Sequence, residues 1–155
     1  MIKNVKESEV VMTELILPND TNLLGNLLGG RLMHWIDIAG AMAASRHSNR
    51  IVATVEVDNL EFKKAVKEGE ILIVKAKLTW VGRTSMEVKV ETFAENIKTG
   101  ETALANKAYL IFVALDDKGD PIKVPQLELN TDDEKEENAR AVKRRERRLV
   151  RKEKA

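Results

Sequence analysis

The chain has no cysteine. That excludes disulfides, thiolate nucleophiles and zinc sites built on cysteine. It has two histidines, His34 and His47, too few for a multi-histidine metal centre. Neither sign of charge prevails, with 26 Lys and Arg against 25 Asp and Glu and a net charge of +1. No overall field therefore draws nucleic acid or an anionic membrane. No apolar run approaches the ~20 residues that span a bilayer. The opening residues, Met1 to Lys6, lack the apolar stretch of a signal peptide. These absences lead us to expect a soluble cytoplasmic domain with no resident metal and neither a membrane nor a nucleic-acid partner. At 155 residues, one domain with a sizeable core is expected.

What is present is patterned. Glu7 to Leu17 reads as a strand that Pro18-Asn19-Asp20 breaks. A polar loop runs on to about Gly29. From Gly30 to about Arg46 the pattern is helical and apolar almost all round, which predicts a centrally buried helix. Four strands are expected next: Ile51 to Val57, Ile71 to Val81, Ser85 to Phe93 and Thr102 to Leu115. In the second, Leu72, Val74, Ala76, Leu78 and Trp80 share a face. In the third, Met86, Val88 and Val90 alternate with Glu87, Lys89 and Glu91. The short separators predict antiparallel hairpins.

One apolar helix and one antiparallel sheet imply an α+β arrangement, with the sheet curved around the helix. The far face of the sheet is expected to meet another subunit. Residues 1–126 form this domain, and residues 127–155 a charged helical tail. The tail opens on a capping box, Thr131 to Glu134, and carries the basic run Lys143 to Arg148 near its other end. Acid first and base last suits the helix dipole. With few apolar residues, the tail is expected to be peripheral or partly disordered, its basic run reading as a solvated helix face or as a phosphate or nucleotide contact.

Asp37 is the chemical anomaly: one carboxylate on an apolar helix. It reads either as a general base in a dry cleft or as a helix-face acid that meets a salt bridge or water. Asn22, like Asn19 and Asn26, supplies either turn chemistry or an amide that orients a water or holds a carbonyl oxygen. Gly29 and Gly30 stand where the first helical turn leaves its N–H groups free. Such a backbone can polarise a carbonyl or hold a phosphate; the alternative is tight packing of helix on sheet. His34 lies three residues before Asp37, within reach of it, and reads either as a base or as packing or interface, the second being favoured because no serine completes a triad. His47 reads as a surface or helix-end residue. In Gly82-Arg83-Thr84-Ser85, an Arg beside two hydroxyls suits a phosphate or polar ligand, or forms an ordinary turn.

The runs Pro18 to Asn22, Gly25-Asn26, Gly29 to Met33 and Trp35-Ile36-Asp37 resemble the hotdog-fold acyl-CoA thioesterases. The branch is that of the brain and brown-fat acyl-CoA hydrolases and their bacterial relatives. Arg46-His47, Val57-Asp58-Asn59 with Phe62, and Val81 to Val88 look like later signatures of that branch. The resemblance covers about residues 8 to 125. It implies a long helix wrapped by an antiparallel sheet, homodimers with shared active sites, and trimers of those dimers, hence hexamers.

The implied reaction is hydrolysis of medium- or long-chain acyl-CoA to free fatty acid and CoA. It needs no cofactor, since CoA belongs to the substrate. On this resemblance Asp37 activates the attacking water, and Asn22, from another subunit, positions that water or binds the thioester. Backbone N–H groups near Gly29 and Gly30 polarise the carbonyl, Thr54 supports with its hydroxyl, and Arg83, Thr84 and Ser85 lie near the CoA arm. Some relatives have His where this chain has Leu28, and some have Glu where it has Asp37. The competing reading is an acyl-CoA sensor of the same fold that binds without hydrolysing. Asn22 and Asp37 together argue for the enzyme. A sensor is expected to carry an added DNA-binding segment, and with roughly six residues before the first strand none is expected here.

Overall fold

Apolar and polar residues alternating at period two build strands, and the period-3.6 stretch between them builds a helix. The structure, a computed structural model, describes residues 1–154. In chain order the elements are β1 (Ile2–Asn4), β2 (Val10–Leu15), α1 (Gly29–Ser48), β3 (Ile51–Phe62), β4 (Ile71–Val81), β5 (Ser85–Glu95), β6 (Thr102–Leu115), β7 (Gln126–Glu128) and α2 (Asp132–Lys154). The main sheet has five strands in the order β2-β4-β5-β6-β3, all antiparallel. The α+β arrangement expected from the sequence is therefore present. A two-stranded parallel pair, β1 with β7, closes one end.

Hairpins join β4 to β5 and β5 to β6. No hairpin joins β3 to β4. Instead β3 pairs with β6 at the opposite edge, and the chain crosses the end of the sheet before β4. The crossing is stitched down. The Lys63 and Lys64 amides donate to the Ala105 carbonyl, and the Leu27 amide donates to Val66. Edge strands β2 and β3 are thus the first and second long strands in sequence, with three strands between them.

Helix α1 lies across β4, β5 and β6. Its buried stripe is Leu32, Ile36, Ala39, Gly40, Ala43, Ala44 and His47. The small residues let the helix come close. A Cβ on Gly40 would stand 3.0 Å from the ring of Phe112, itself fully buried on β6. The expectation of burial on every side is corrected. Arg31, His34, Ile38 and Met42, at helical spacing, form a stripe open to solvent in the single chain.

Asn49 ends α1 in the left-handed region at φ 55°, a conformation Asn tolerates. His47, read as a surface or helix-end residue, stands at this helix end but is fully buried, with its Nε2 2.8 Å from the Pro125 carbonyl oxygen. It fastens the last turn of α1 to the segment that leads into β7.

A second correction concerns Trp80. A register shift between Leu78 and Trp80 sets Trp80 opposite Glu87 rather than in the inner row. The bulge turns the indole to the outer face, where the Arg145 guanidinium lies 4.6 Å from its ring centre.

The third concerns the tail. Helix α2 is peripheral, as expected, but its basic run is not simply a solvated face: the helix lies on the outer face of the sheet, and Ala141, Arg144 and Arg148 are buried there. The anchor is Glu87, fully buried on β5. Its Oε1 accepts from Arg144 Nη2 at 2.7 Å and from Thr79 Oγ1 at 2.6 Å. Its Oε2 accepts from Arg144 Nε at 3.2 Å and from Arg148 Nη1 at 3.1 Å. The Arg144 guanidinium also stacks 3.6 Å from the centre of the Tyr109 ring. The outer face thus takes a helix of its own chain through charge-assisted hydrogen bonds, a mode that apolar periodicity does not reveal.

Removing one member of a buried ion cluster leaves the others unpaired, which costs about 3–5 kcal/mol, whereas concerted apolar replacement is often neutral. Glu87→Ala is therefore expected to lower stability by that amount in urea unfolding, and the triple replacement E87L/R144M/R148L by much less. Burial also lowers the His47 pKa below its usual 6.5, outweighing the bond to Pro125. The unfolded chain then takes up a proton that the fold refuses. His47 thus contributes stability above about pH 6.5 that is lost as pH falls through its folded value. The Tm of His47→Gln should fall less than that of the parent between pH 7.5 and 5.

Candidate active site

The loop between β2 and α1 is held by its own side chains. The Leu17 amide donates to Asp20 Oδ2 at 3.0 Å, and the Leu28 amide to the Asp20 carbonyl at 2.9 Å. Asp20 also pairs with Arg31 at 3.3 Å. Asn22 Oδ1 accepts from the amides of Leu24 at 2.9 Å and Asn26 at 3.1 Å. That is the turn chemistry Asn favours. It also fixes the amide plane, so the carbonyl faces the loop while Nδ2 has no acceptor among the described residues.

The start of α1 is bare. Leu28 occupies the N-cap and has no side-chain oxygen to offer the first N–H groups. A Cβ added at Gly29 or Gly30 would meet nothing within 4 Å. Packing within the chain therefore does not account for either glycine. What they leave is an exposed, uncapped helix N-terminus with free N–H groups and a partial positive charge. A cleft of about 440 Å³ opens beside it, lined by Asn22, Leu27, Gly29, Leu32, Phe62 and Asn106 among others.

Asp37 lies elsewhere. It is half-buried beside the open stripe of α1, and its Oδ1 accepts from Thr54 Oγ1 at 2.7 Å. Thr54 sits on edge strand β3, just before a register shift. The carboxylate is thus hydrogen-bonded and oriented, not stranded among apolar groups as its helix neighbours suggested. His34, one turn earlier, is exposed.

The structure brings Asp37 and Thr54 together, and separately Asn22 and Gly29. It does not place all four in one cleft. From Gly29 to Asp37 the helix rises about 12 Å, beyond hydrogen-bond reach.

Arg83, Thr84 and Ser85 form the β4–β5 turn. Main-chain bonds hold it: Gly82 amide to Ser85 carbonyl, Val124 amide to Arg83 carbonyl, and Ala114 amide to Thr84 carbonyl. Gly82 is needed for space, since a Cβ there would stand 2.6 Å from the Trp80 ring. Ser85 lines a shallow outer groove with Val55, Trp80 and Arg145, not the Asn22 cleft. Phe62, one of the residues that carry the resemblance, lines that cleft, and so does Asn106, which the sequence reading does not single out. The signal for Asn106 was available, as a lone polar residue in the row Ala108, Leu110, Phe112 that alternation assigns to the core.

The model of the thioesterase superfamily matches residues 24–101. The chain is 40% identical over 129 residues to the uncharacterized acyl-CoA thioester hydrolase YkhA of Bacillus subtilis, covering 83% of this chain and 75% of that one. A hexameric acyl-CoA thioesterase crystallised without ligand superposes with a TM-score of 0.94 at 39% identity, over 97% of this chain and 96% of that one. The acyl-CoA hydrolase of Staphylococcus aureus, solved with butyryl coenzyme A and coenzyme A, gives 0.93 at 36%, over 99% and 94%. That enzyme has also been solved with one aspartate, one threonine or one asparagine replaced by alanine. The chain belongs to the thioesterase superfamily, as a hotdog-fold thioester hydrolase.

Proposed function

We propose that the protein hydrolyses fatty acyl-CoA to free acid and CoA, with Asp37 as general base. The observation that carries this reading is the Thr54–Asp37 hydrogen bond, which holds a carboxylate oriented on an otherwise apolar helix. A thioester has little resonance stabilisation and a good leaving group, so one base and one polarised carbonyl suffice. Asp37 takes a proton from water as the oxygen attacks the acyl carbon. The carbonyl oxygen gains charge and is met by the free N–H groups at Gly29 and Gly30, donors already in place before reaction. The C–S bond breaks and the CoA thiolate is reprotonated. Asn22 Nδ2 holds the water or the thioester.

These groups meet between protomers in this reading, Asn22 and the helix start from one, Asp37 and Thr54 from its partner. Support comes from their separation within one chain and from what surrounds Asp37. Strand β3 is an open edge with Ile51, Val55, Val57 and Phe62 exposed, and Ile38 and Met42 lie on the open stripe of α1. An apolar edge of this length is a pairing surface. Two such edges joined make one sheet and cover both helices. A trimer of these dimers accords with the hexameric neighbour.

The Arg83-Thr84-Ser85 turn lies at the Thr54 end of the sheet, because Thr54 pairs with Phe112 and Ser85 with the adjacent Val113. In this reading the turn holds the CoA arm. The apolar walls Leu27, Leu32, Phe62 and Val66 suit a medium or long acyl chain. Further support is the spacing in the Staphylococcus aureus variants. Their altered asparagine, aspartate and threonine are 15 and 17 positions apart, as are Asn22, Asp37 and Thr54.

Removing a general base costs about 10²–10⁴ in rate. Asp37→Asn should lose that much kcat on acyl-CoA, read by free-thiol detection, while its size-exclusion profile stays that of the parent. Turnover at the parent rate overturns the assignment, and tight binding without turnover in the parent marks a sensor. Thr54→Val, which loses one hydrogen bond to a charged group, should lose about tenfold or somewhat more. Asn22→Ala and Asp37→Ala should each lose most activity alone. Mixed oligomers of the two should regain part of the activity, and no rescue in proven mixtures counts against a shared site.

A further inference from the structure

The inner face of the sheet is apolar along β5 and β6 except at one place. Thr92 on β5 and Asn106 on β6 are register partners, and both are fully or almost fully buried. Thr92 Oγ1 donates to Asn106 Oδ1 at 2.8 Å. The planar amide is thereby fixed, with Nδ2 turned away from Thr92. Nδ2 is buried and has no hydrogen-bond partner. The other such side-chain atoms among the described residues are acceptors, namely His47 Nδ1, Glu56 Oε2 and Glu137 Oε2. None of these three residues lines the cleft beside the start of α1, and Asn106 does.

A buried donor without an acceptor is destabilising and calls for an explanation. Leucine or valine at both positions would pack this row at no such cost. The cleft does not meet the amide itself: Leu27, Leu32, Phe62 and Val66 are apolar, and its polar residues Asn22, Asn26, Lys63 and Lys64 make no hydrogen bond to Nδ2. The same cleft holds Asn22 and Gly29, the groups assigned to the thioester end.

We propose that Asn106 is a substrate-contacting residue that determines specificity. Its amide donates to an oxygen acceptor in the acyl-pantetheine portion of the substrate, and the Thr92 hydroxyl is the positioning group that aims it. The inference rests on the thioesterase reading and deepens it. A carbonyl or hydroxyl acceptor of this kind has two sources, an oxygen on the acyl chain or an amide of the pantetheine arm.

The test measures kcat/KM on three thioesters of equal chain length. These are a saturated acyl-CoA, its 3-oxoacyl-CoA counterpart, and the saturated acyl thioester of ethanethiol, which has no amide. Parent and Asn106→Leu are compared. If the acceptor is on the acyl chain, the variant loses at least about tenfold on the 3-oxo substrate alone, the worth of one neutral hydrogen bond to an otherwise unmet group. If it is a pantetheine amide, both CoA thioesters lose that factor and the ethanethiol thioester does not. A uniform factor on all three overturns the proposal while leaving the thioesterase reading intact. A parent that hydrolyses none of them overturns both.

Thr92→Val keeps Asn106 and frees its amide to rotate. It should move selectivity the same way by a smaller factor, and it carries the test if Asn106→Leu does not fold. Selectivity unchanged in Thr92→Val as well overturns the proposal.

Discussion

The contact of α1 with the sheet governs everything else. Ala39, Gly40, Ala43 and Ala44 have little or no side chain to hold the helix away, and the ring of Phe112 fills the space against Gly40. Dense packing of this kind leaves the helix little freedom to slide or turn. Three things follow from that one placement. The bare N-terminus at Gly29 stands over the end of the sheet where β3, β5 and β6 carry Phe62, Thr92 and Asn106. Asp37 comes within 2.7 Å of Thr54. Ile38 and Met42 are left facing outward with nothing of their own chain to cover them.

The two faces of the sheet are held by different physics. The inner face is apolar burial at close range, the general driving force of folding. The outer face is a polar lock: Glu87 between Arg144 and Arg148, Lys89 with Glu137 at 2.9 Å, and Asn138 Nδ2 donating to the Thr79 carbonyl at 2.9 Å. Such a lock adds little net stability over an apolar one, but it demands one register of α2 on the sheet. Trp80 belongs to this system only because a bulge turns it outward. Gly82 must be glycine for the same reason, since the displaced indole occupies the space of its Cβ.

The strand and helix pattern was legible in the residues because it depends on local periodicity. So were the two hairpins, whose turns are short. The β3–β6 pairing was not, because an eight-residue crossing and a four-residue turn look alike until the Ala105 and Val66 carbonyls are seen to bind it. The exposed stripe of α1 was misread for a related reason: hydropathy cannot say whether an apolar residue meets its own chain or another. Burial of His47 depends on Pro125, and burial of Arg144 on Glu87; each pair is far apart in sequence. Of the site, Asn22, Asp37 and the glycines could be picked out as residue types. Asn106 was overlooked, although its place in the inner row of β6 marks it as unusual.

The sequence by itself determined the central helix, the long strands, the α+β class and the family, because periodicity, turn residues and the glycine-framed loop before Asp37 are properties of neighbours along the chain. Only the tertiary structure decided which groups stand together. Asp37 is oriented by a hydroxyl on an edge strand, Asn22 and Gly29 share a cleft with Asn106, and the two sets stand apart along one helix. The physical reason is that orientation, burial and unmet hydrogen bonds arise between elements brought together by the core, and no local pattern contains them.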